Sequence, residues 1–196
     1  MTLITRVVKL LQYDDQDHSG HAIDHLLRVW RMAKHLADCE GGDPVVIQLA
    51  ALMHDVGDSK FHQDPDQETA KVVSQYLHDC PPELINQVLS VISTVSYSRN
   101  INQNLSIEAQ IVQDADRLDA IGAIGIARTI SYGAYLKRPI YAEESDDHTI
   151  QHFYDKLLKI SSLLKTKTAR TIAKDRHRFL ELFLEQFFIE WKGQDL

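Results

Sequence analysis

In this chain a few polar residues stand where the surrounding pattern demands apolar ones, and chemistry would lie at those positions. His54 and Asp55 close the run Val45 to Met53, which is apolar almost all round apart from Gln48. An ionisable pair at the end of such a segment is expensive to bury unless it is paired or holds a metal ion. His25 lies beside Ala22, Leu26 and Val29, on or next to the inward face of its predicted helix. Asp116 falls in IVQDADRLDAIGAIGIA, where Ile111, Val112, Ala115 and Leu118 mark a largely buried segment. Two imidazoles and two carboxylates thus reach inward from three separate helices. That mixture suits one divalent transition ion of the Mn, Fe, Ni or Zn type, with water completing its shell. An all-oxygen set would favour Mg or Ca instead. Taken singly, His25 reads as a satisfied core histidine and His54-Asp55 as a hydrogen-bonded helix end. The adjacent doublet together with two further inward polar residues reverses that preference.

The elements that must position these residues are helical. Leu3, Val7, Leu10 and Leu11 recur at helical spacing, as do Leu26, Val29, Ala33, Leu36 and Ala37. Asp43-Pro44 predicts a helix start, because Asp caps free amides and Pro is preset for the first turn. The helix that follows should be central and buried, with Gly57 as its stop. Further helices are expected over 66–79, 82–97, 106–131, 147–166 and 168–192, with loops at 58–66 and 133–147. No strand alternation, internal repeat or Pro/Gly/Ser-rich linker interrupts this pattern, so the expectation is one all-α domain over 1–196.

Composition narrows the function. The 196 residues are 44% hydrophobic and 25% charged, as in an ordinary globular chain with a sizeable core. A formal charge of -7 argues against a nucleic-acid polymer as partner, since phosphate backbones need a basic footprint. It leaves room for a local cationic pocket around one small phosphate ester. Two cysteines, Cys39 and Cys80, lack CxxC spacing and suit a reducing compartment. The first residues, MTLITRVVKLLQYDDQD, read as an amphipathic helix and not as a signal peptide, and no apolar run is long enough to span a bilayer. The expectation is a cytoplasmic protein with no membrane partner.

The chain resembles the HD superfamily of metal-dependent phosphohydrolases. The family's His, His-Asp doublet and distant Asp match His25 in HLLRVW, His54-Asp55 in AALMHDVGD and Asp116 in QDADRLDA, and the likeness runs from about Ser19 to Gly133. It is closest to small stand-alone bacterial members that carry DADRLDAIGAIGIAR. The resemblance implies a helical HD fold with a metal-site core over about 19–133 and a helical extension over about 147–192. It also implies a single metal on His25, His54, Asp55 and Asp116, and hydrolysis of a phosphoester or phosphoanhydride. Some similar members cleave nucleoside triphosphates to monophosphate and pyrophosphate with manganese favoured. Manganese therefore heads the cofactor expectation, with Fe, Ni, Zn, Co or Mg as alternatives. Other branches carry Lys four residues after the doublet's His; here that position is Asp58, with Lys60 two residues later.

Around the metal, Arg28 and Lys60 are candidates to neutralise phosphoryl charge, and Asp58 to orient or deprotonate the attacking water. His21, four residues before His25, could donate to a leaving group or hold a phosphate. Each has a competing use: Asp58 with Lys60 as a surface ion pair, and Arg28 with Asp24 as an i,i+4 pair. Arg117 and Asp119 flank Asp116, either organising the site or joining its helix to neighbours. Lys137 and Arg138, in the 133–147 loop, could close over a triphosphate. A zinc-protease reading of His21 and His25 fails because Ala22 stands where that motif needs Glu. Gly122 and Gly125 follow no predicted strand and make no dinucleotide fingerprint; close helix packing explains them. Core packing also explains the apolar C-terminal segment from Phe179 to Trp191, with homodimerisation as the alternative. The expected function is hydrolysis of a small phosphorylated molecule, most plausibly a nucleotide, either as triphosphate to monophosphate plus pyrophosphate or as a phosphomonoester. The rival is a non-catalytic metal or nucleotide sensor built on the same fold.

Overall fold

A computed structural model describes residues 2–14, 22–56, 65–95 and 105–195. Every regular element among the described residues is helical, and the fold is all-α as the periodicity predicts. The chain divides into two compact units, Met1–Asp116 and Arg117–Leu196.

The first unit contains α1 (Leu3–Asp14), α2 (Ala22–Glu40), α3 (Pro44–Met53), α4 (Pro65–Tyr76) and α5 (Pro82–Ile92), and most of α6 (Ile107–Asp119). Its centre is α3, which packs against α1, α2 and α5. Seven of its ten residues are buried, because Val, Ile, Leu, Ala and Met occupy all sides of the helix. Asp43 caps it as its type and position demand, its carboxylate accepting from the Val45 and Val46 N–H groups at 2.8 and 3.2 Å. The one polar residue within the helix, Gln48, is satisfied on both sides. It donates to the Pro44 carbonyl at 2.9 Å and accepts from the Trp30 indole N–H at 3.1 Å.

The turn before α3 also fixes where α6 begins. Gly42 has φ +90°, and a Cβ there would stand 3.0 Å from Ile47 and 3.2 Å from both Ile107 and Glu108. Only glycine lets the chain pass so close in that conformation. The Glu108 carboxylate then accepts the Asp43 N–H at 3.1 Å, tying the first turn of α6 to the first turn of α3.

The second unit holds α7 (Gly122–Tyr135), a π-helical turn (Phe153–Leu157), α8 (Leu158–Ile160), a 3-10 turn (Ser161–Leu163) and α9 (Lys167–Trp191). α7 packs against α9. The loop between α7 and the π-turn is pinned by backbone bonds from the Thr149 N–H to the Pro139 carbonyl and from the Ile150 N–H to the Ile140 carbonyl. It delivers Tyr141 into an aromatic cluster on α9, with ring centroids 5.2 Å from Phe188 and 5.3 Å from Trp191. Most of the apolar C-terminal segment is therefore packing surface.

Several expected boundaries are corrected. The single helix expected over 106–131 is two. Ile121 turns extended (φ −125°, ψ 165°) and Gly122 adopts φ +76°, which breaks the helix although the apolar spacing runs straight through. The expected helix over 147–166 is instead a π-turn, one short α turn and a 3-10 turn. α3 stops at Met53 with a turn over 54–56, before Gly57, which lies outside the described residues. α4 starts at Pro65 and ends at Tyr76 rather than at residue 79, α5 ends at Ile92, and α7 runs three residues into the loop expected over 133–147. Of the expected 58–66 loop, residues 58–64 lie outside the described residues.

Candidate metal centre

Three helices of the first unit bring the inward polar residues together. His25 rides on the face of α2 that buries Leu26 and Val29, with 6% of its side chain exposed. His54 caps the C-terminal end of α3 with 2% exposed, and Asp55 follows in the turn with half of its side chain in solvent. Asp116 comes from α6, between the fully buried Ala115 and Val112 on one side and the helix end on the other.

The donor atoms converge. His25 Nε2 lies 3.4 Å from Asp116 Oδ1 and 3.5 Å from Asp55 Oδ2. His54 Nε2 lies 3.6 Å from both Asp116 Oδ1 and Asp55 Oδ1. Ligands about 2.1 Å from a common ion at tetrahedral angles sit about 3.4 Å apart, so these separations match the edges of one coordination shell. Donor atoms of His25, His54 and Asp116 all fall within 4.8 Å of one another, the one such group among the described residues. Asp55 faces both imidazoles through different oxygens and stands at the open side of the group.

The His54 ring shows most clearly what the group is built for. Its Nδ1 lies 2.9 Å from the Ala51 carbonyl, and because a carbonyl only accepts, Nδ1 carries the proton. In the neutral ring Nε2 is then a bare lone pair aimed into the cluster. It is buried and has no hydrogen-bond partner among the described residues. Leaving such an atom unsatisfied costs about 1–3 kcal/mol, which a bound cation would remove. A backbone carbonyl fixing the outer nitrogen of a histidine is the usual way a ring is aimed at a metal.

Electrostatics point the same way. Burial disfavours the carboxylates of Asp55 and Asp116, yet the facing imidazoles outweigh it and hold both pKa values below the usual range. Burial likewise disfavours the His54 imidazolium, and the Asp116 and Asp55 carboxylates outweigh it, raising its pKa. The cluster is a pocket of negative potential that draws positive charge. The residues present fit a divalent ion.

The other candidates are placed as follows. Arg28 lies on α2 one turn beyond His25 and is half-buried. His21, Asp58 and Lys60 lie outside the described residues. Arg117 donates from Nη1 to the Leu163 carbonyl at 2.8 Å, and buried Asp119 accepts from Arg128 Nη1 at 2.6 Å, so both join elements within the second unit. Lys137 is exposed with φ +56°, and Arg138 Nε lies 3.0 Å from Asp147. The role of the Ala51 carbonyl is not readable from residue types, because a backbone acceptor leaves no mark in them. Its only signal is position, three residues before a helix-ending histidine.

Comparison with known proteins agrees with this geometry. The HD domain family matches residues 22–121, a span that contains His25, His54, Asp55 and Asp116. The chain belongs to that family. It is 33% identical over 183 residues to YpgQ of Bacillus subtilis, covering 91% of this chain and 88% of that protein. The crystal structure of YpgQ in complex with ADP superposes with a TM-score of 0.78 at 30% identity, covering 94% of this chain and 95% of that one. An HD-superfamily hydrolase from Bacillus thuringiensis matches at 39% identity with a TM-score of 0.76, covering 97% of this chain and 95% of its own. The Lin1889 protein of Listeria innocua matches at 40% identity with a TM-score of 0.82, covering 97% of this chain and 96% of its own. The fold is that of the HD-superfamily hydrolases.

Proposed function

We propose that this protein is a mononuclear, metal-dependent phosphohydrolase of the cytoplasm acting on a nucleotide, with manganese as the working ion. The observation that carries the reading is the buried His54 Nε2, without a hydrogen-bond partner among the described residues and aimed at two carboxylates and a second imidazole. The ADP complex of YpgQ supports a nucleotide as substrate class. His25, His54, Asp55 and Asp116 are the proposed ligands, Asp55 completing the group on its solvent side. A divalent ion held there supplies Lewis acidity toward a phosphoryl oxygen and a fixed position for water.

This chain's own residues do the rest. Arg28 neutralises charge gathering on the equatorial phosphoryl oxygens, together with Lys60. Asp58 orients the attacking water and accepts its proton, and His21 donates to the leaving oxygen or holds a phosphate. Lys137 and Arg138 contribute positive charge to a triphosphate, with Arg117 and Asp119 supporting the substrate side.

The test is product analysis on a nucleotide panel with Mn added. Pyrophosphate released from triphosphates supports pyrophosphohydrolysis, and phosphate released from monophosphates supports a nucleotidase on the same metal. Stoichiometric nucleotide binding with no product overturns the enzyme reading in favour of a sensor. Replacing Lys137 and Arg138 by Ala should raise KM steeply for a triphosphate, and an unchanged KM removes them from the pocket.

A further inference from the structure

Three of the four residues at the metal centre are held by helices, and the fourth is not. His25 and Asp116 stand inside α2 and α6, and His54 closes α3 with its ring fixed by the Ala51 carbonyl. Asp55 stands in the turn over 54–56, where the Val56 N–H reaches back to the Met53 carbonyl at 3.2 Å. Half of its side chain is in solvent, so packing does little to fix it. Yet its two oxygens face the His25 and His54 rings at 3.5 and 3.6 Å. A ligand that must meet two imidazoles tolerates a drift of only about 0.5 Å in the chain that carries it.

A contact from α4 fixes that turn. The Thr69 hydroxyl donates to the Val56 carbonyl at 3.0 Å, a bond between residues 13 apart in sequence. A threonine within a helix ordinarily turns its hydroxyl back to a carbonyl three or four residues earlier in the same helix. Thr69 gives it to the turn instead. The residue stands one turn before the fully buried Val73 and two turns before Leu77, on the face of α4 where the spacing calls for an apolar side chain. A hydroxyl facing the core needs a partner, and its partner is the residue directly after Asp55.

We propose that Thr69 is a positioning residue for the metal centre: its hydroxyl, bonded to the Val56 carbonyl, holds the turn so that Asp55 completes the ligand group. This role presupposes the metal centre proposed above and extends it to α4, a helix that supplies none of the four ligands. Thr69 acts through the backbone of the turn and through Asp55.

The experiment is calorimetric titration of Mn into the metal-free full chain, with the metal-free melting midpoint measured on the same samples. Thr69→Val keeps the side chain's shape, removes the donor, and should raise the Mn Kd about tenfold, the lower end of the loss seen when a partner behind a metal ligand is removed. Thr69→Ser keeps the hydroxyl and should stay within about threefold of the wild type, because the donor that matters is retained. Thr69→Ala also lacks the donor and should weaken binding as Thr69→Val does, which decides the question if the valine variant folds poorly. In an Asp55→Ala background Thr69→Val should change the Kd by less than about twofold, since its effect runs through Asp55. A hydroxyl that serves stability alone would lower the melting midpoint of Thr69→Val and leave its Kd at the wild-type value; that result overturns the proposal. So does a serine variant as weak as the valine one, or an undiminished loss in the Asp55→Ala background. A wild type that takes up no Mn overturns the metal centre itself, whereas a wild-type Kd in Thr69→Val beside a metal-binding wild type overturns the role of Thr69 alone.

Discussion

Gly125→Ala adds one methyl group at a place where the backbone has no room for it. A Cβ at Gly125 would stand 2.2 Å from the Ala120 carbonyl oxygen and 2.5 Å from its carbon. Ordinary contacts begin near 3.4 Å, so the turn between α6 and α7 must open by about 1 Å. Backbone, not a flexible side-chain tip, has to give. Overpacking of this kind costs about 2–3 kcal/mol. Alanine's better helix propensity offsets about 1 kcal/mol of that, which leaves a net loss of about 1–2 kcal/mol. For a chain of this length each kcal/mol moves the melting midpoint by about 2–4 °C, so the variant should melt about 2–8 °C lower. Differential scanning calorimetry reads this directly. A midpoint equal to or above the wild type would mean that propensity wins, and the steric account of the α6–α7 break would be refuted.

Three further outcomes are expected of the same fold. Mn at about a hundred times its Kd should stabilise the fold by about 2.7 kcal/mol, a rise of about 5–11 °C in the melting midpoint that is absent from His54→Ala and reversed by a chelator. Asp43→Ala removes both cap bonds of α3 and should cost about 1 kcal/mol in a urea titration while leaving the metal-dependent rise in place. Arg6 holds the Asp79 carboxyl down to about 2 through a paired hydrogen bond. Because the folded pKa is the lower one, the pairing helps above the carboxyl's usual pKa near 4 and is lost as pH falls towards 2. The melting difference between wild type and Asp79→Asn should therefore be present at neutral pH and shrink through that window; a constant difference would contradict it.

Much of the site's frame is legible in the residues, for reasons that differ by element. Asp43-Pro44 marks the start of α3 because capping chemistry is local, and the burial of α3 follows from an apolar run with one polar break. His25, His54, Asp55 and Asp116 stand out because a buried ionisable group contradicts its surroundings. The break at Ile121–Gly122 does not stand out, since Ala115, Leu118, Ile121 and Ile124 keep i,i+3 spacing across it; the φ of +76° at Gly122 is a conformational fact the spacing does not encode. The π-turn over Phe153–Leu157 is equally invisible, because it differs from an α-helix by one extra residue per hydrogen-bonded ring and not by composition. Which backbone carbonyl serves a side chain, Ala51 for His54 or Leu163 for Arg117, emerges only once the chain is folded.

The most direct test of the central claim measures metal content and product release on the same samples, wild type against the His54→Ala/Asp55→Ala variant. Elemental analysis after Mn loading should give one ion per wild-type chain and none in the variant. Phosphate or pyrophosphate release from nucleotides should be lost along with the ion. A variant that retains its metal, or that turns over nucleotide without it, would contradict the account.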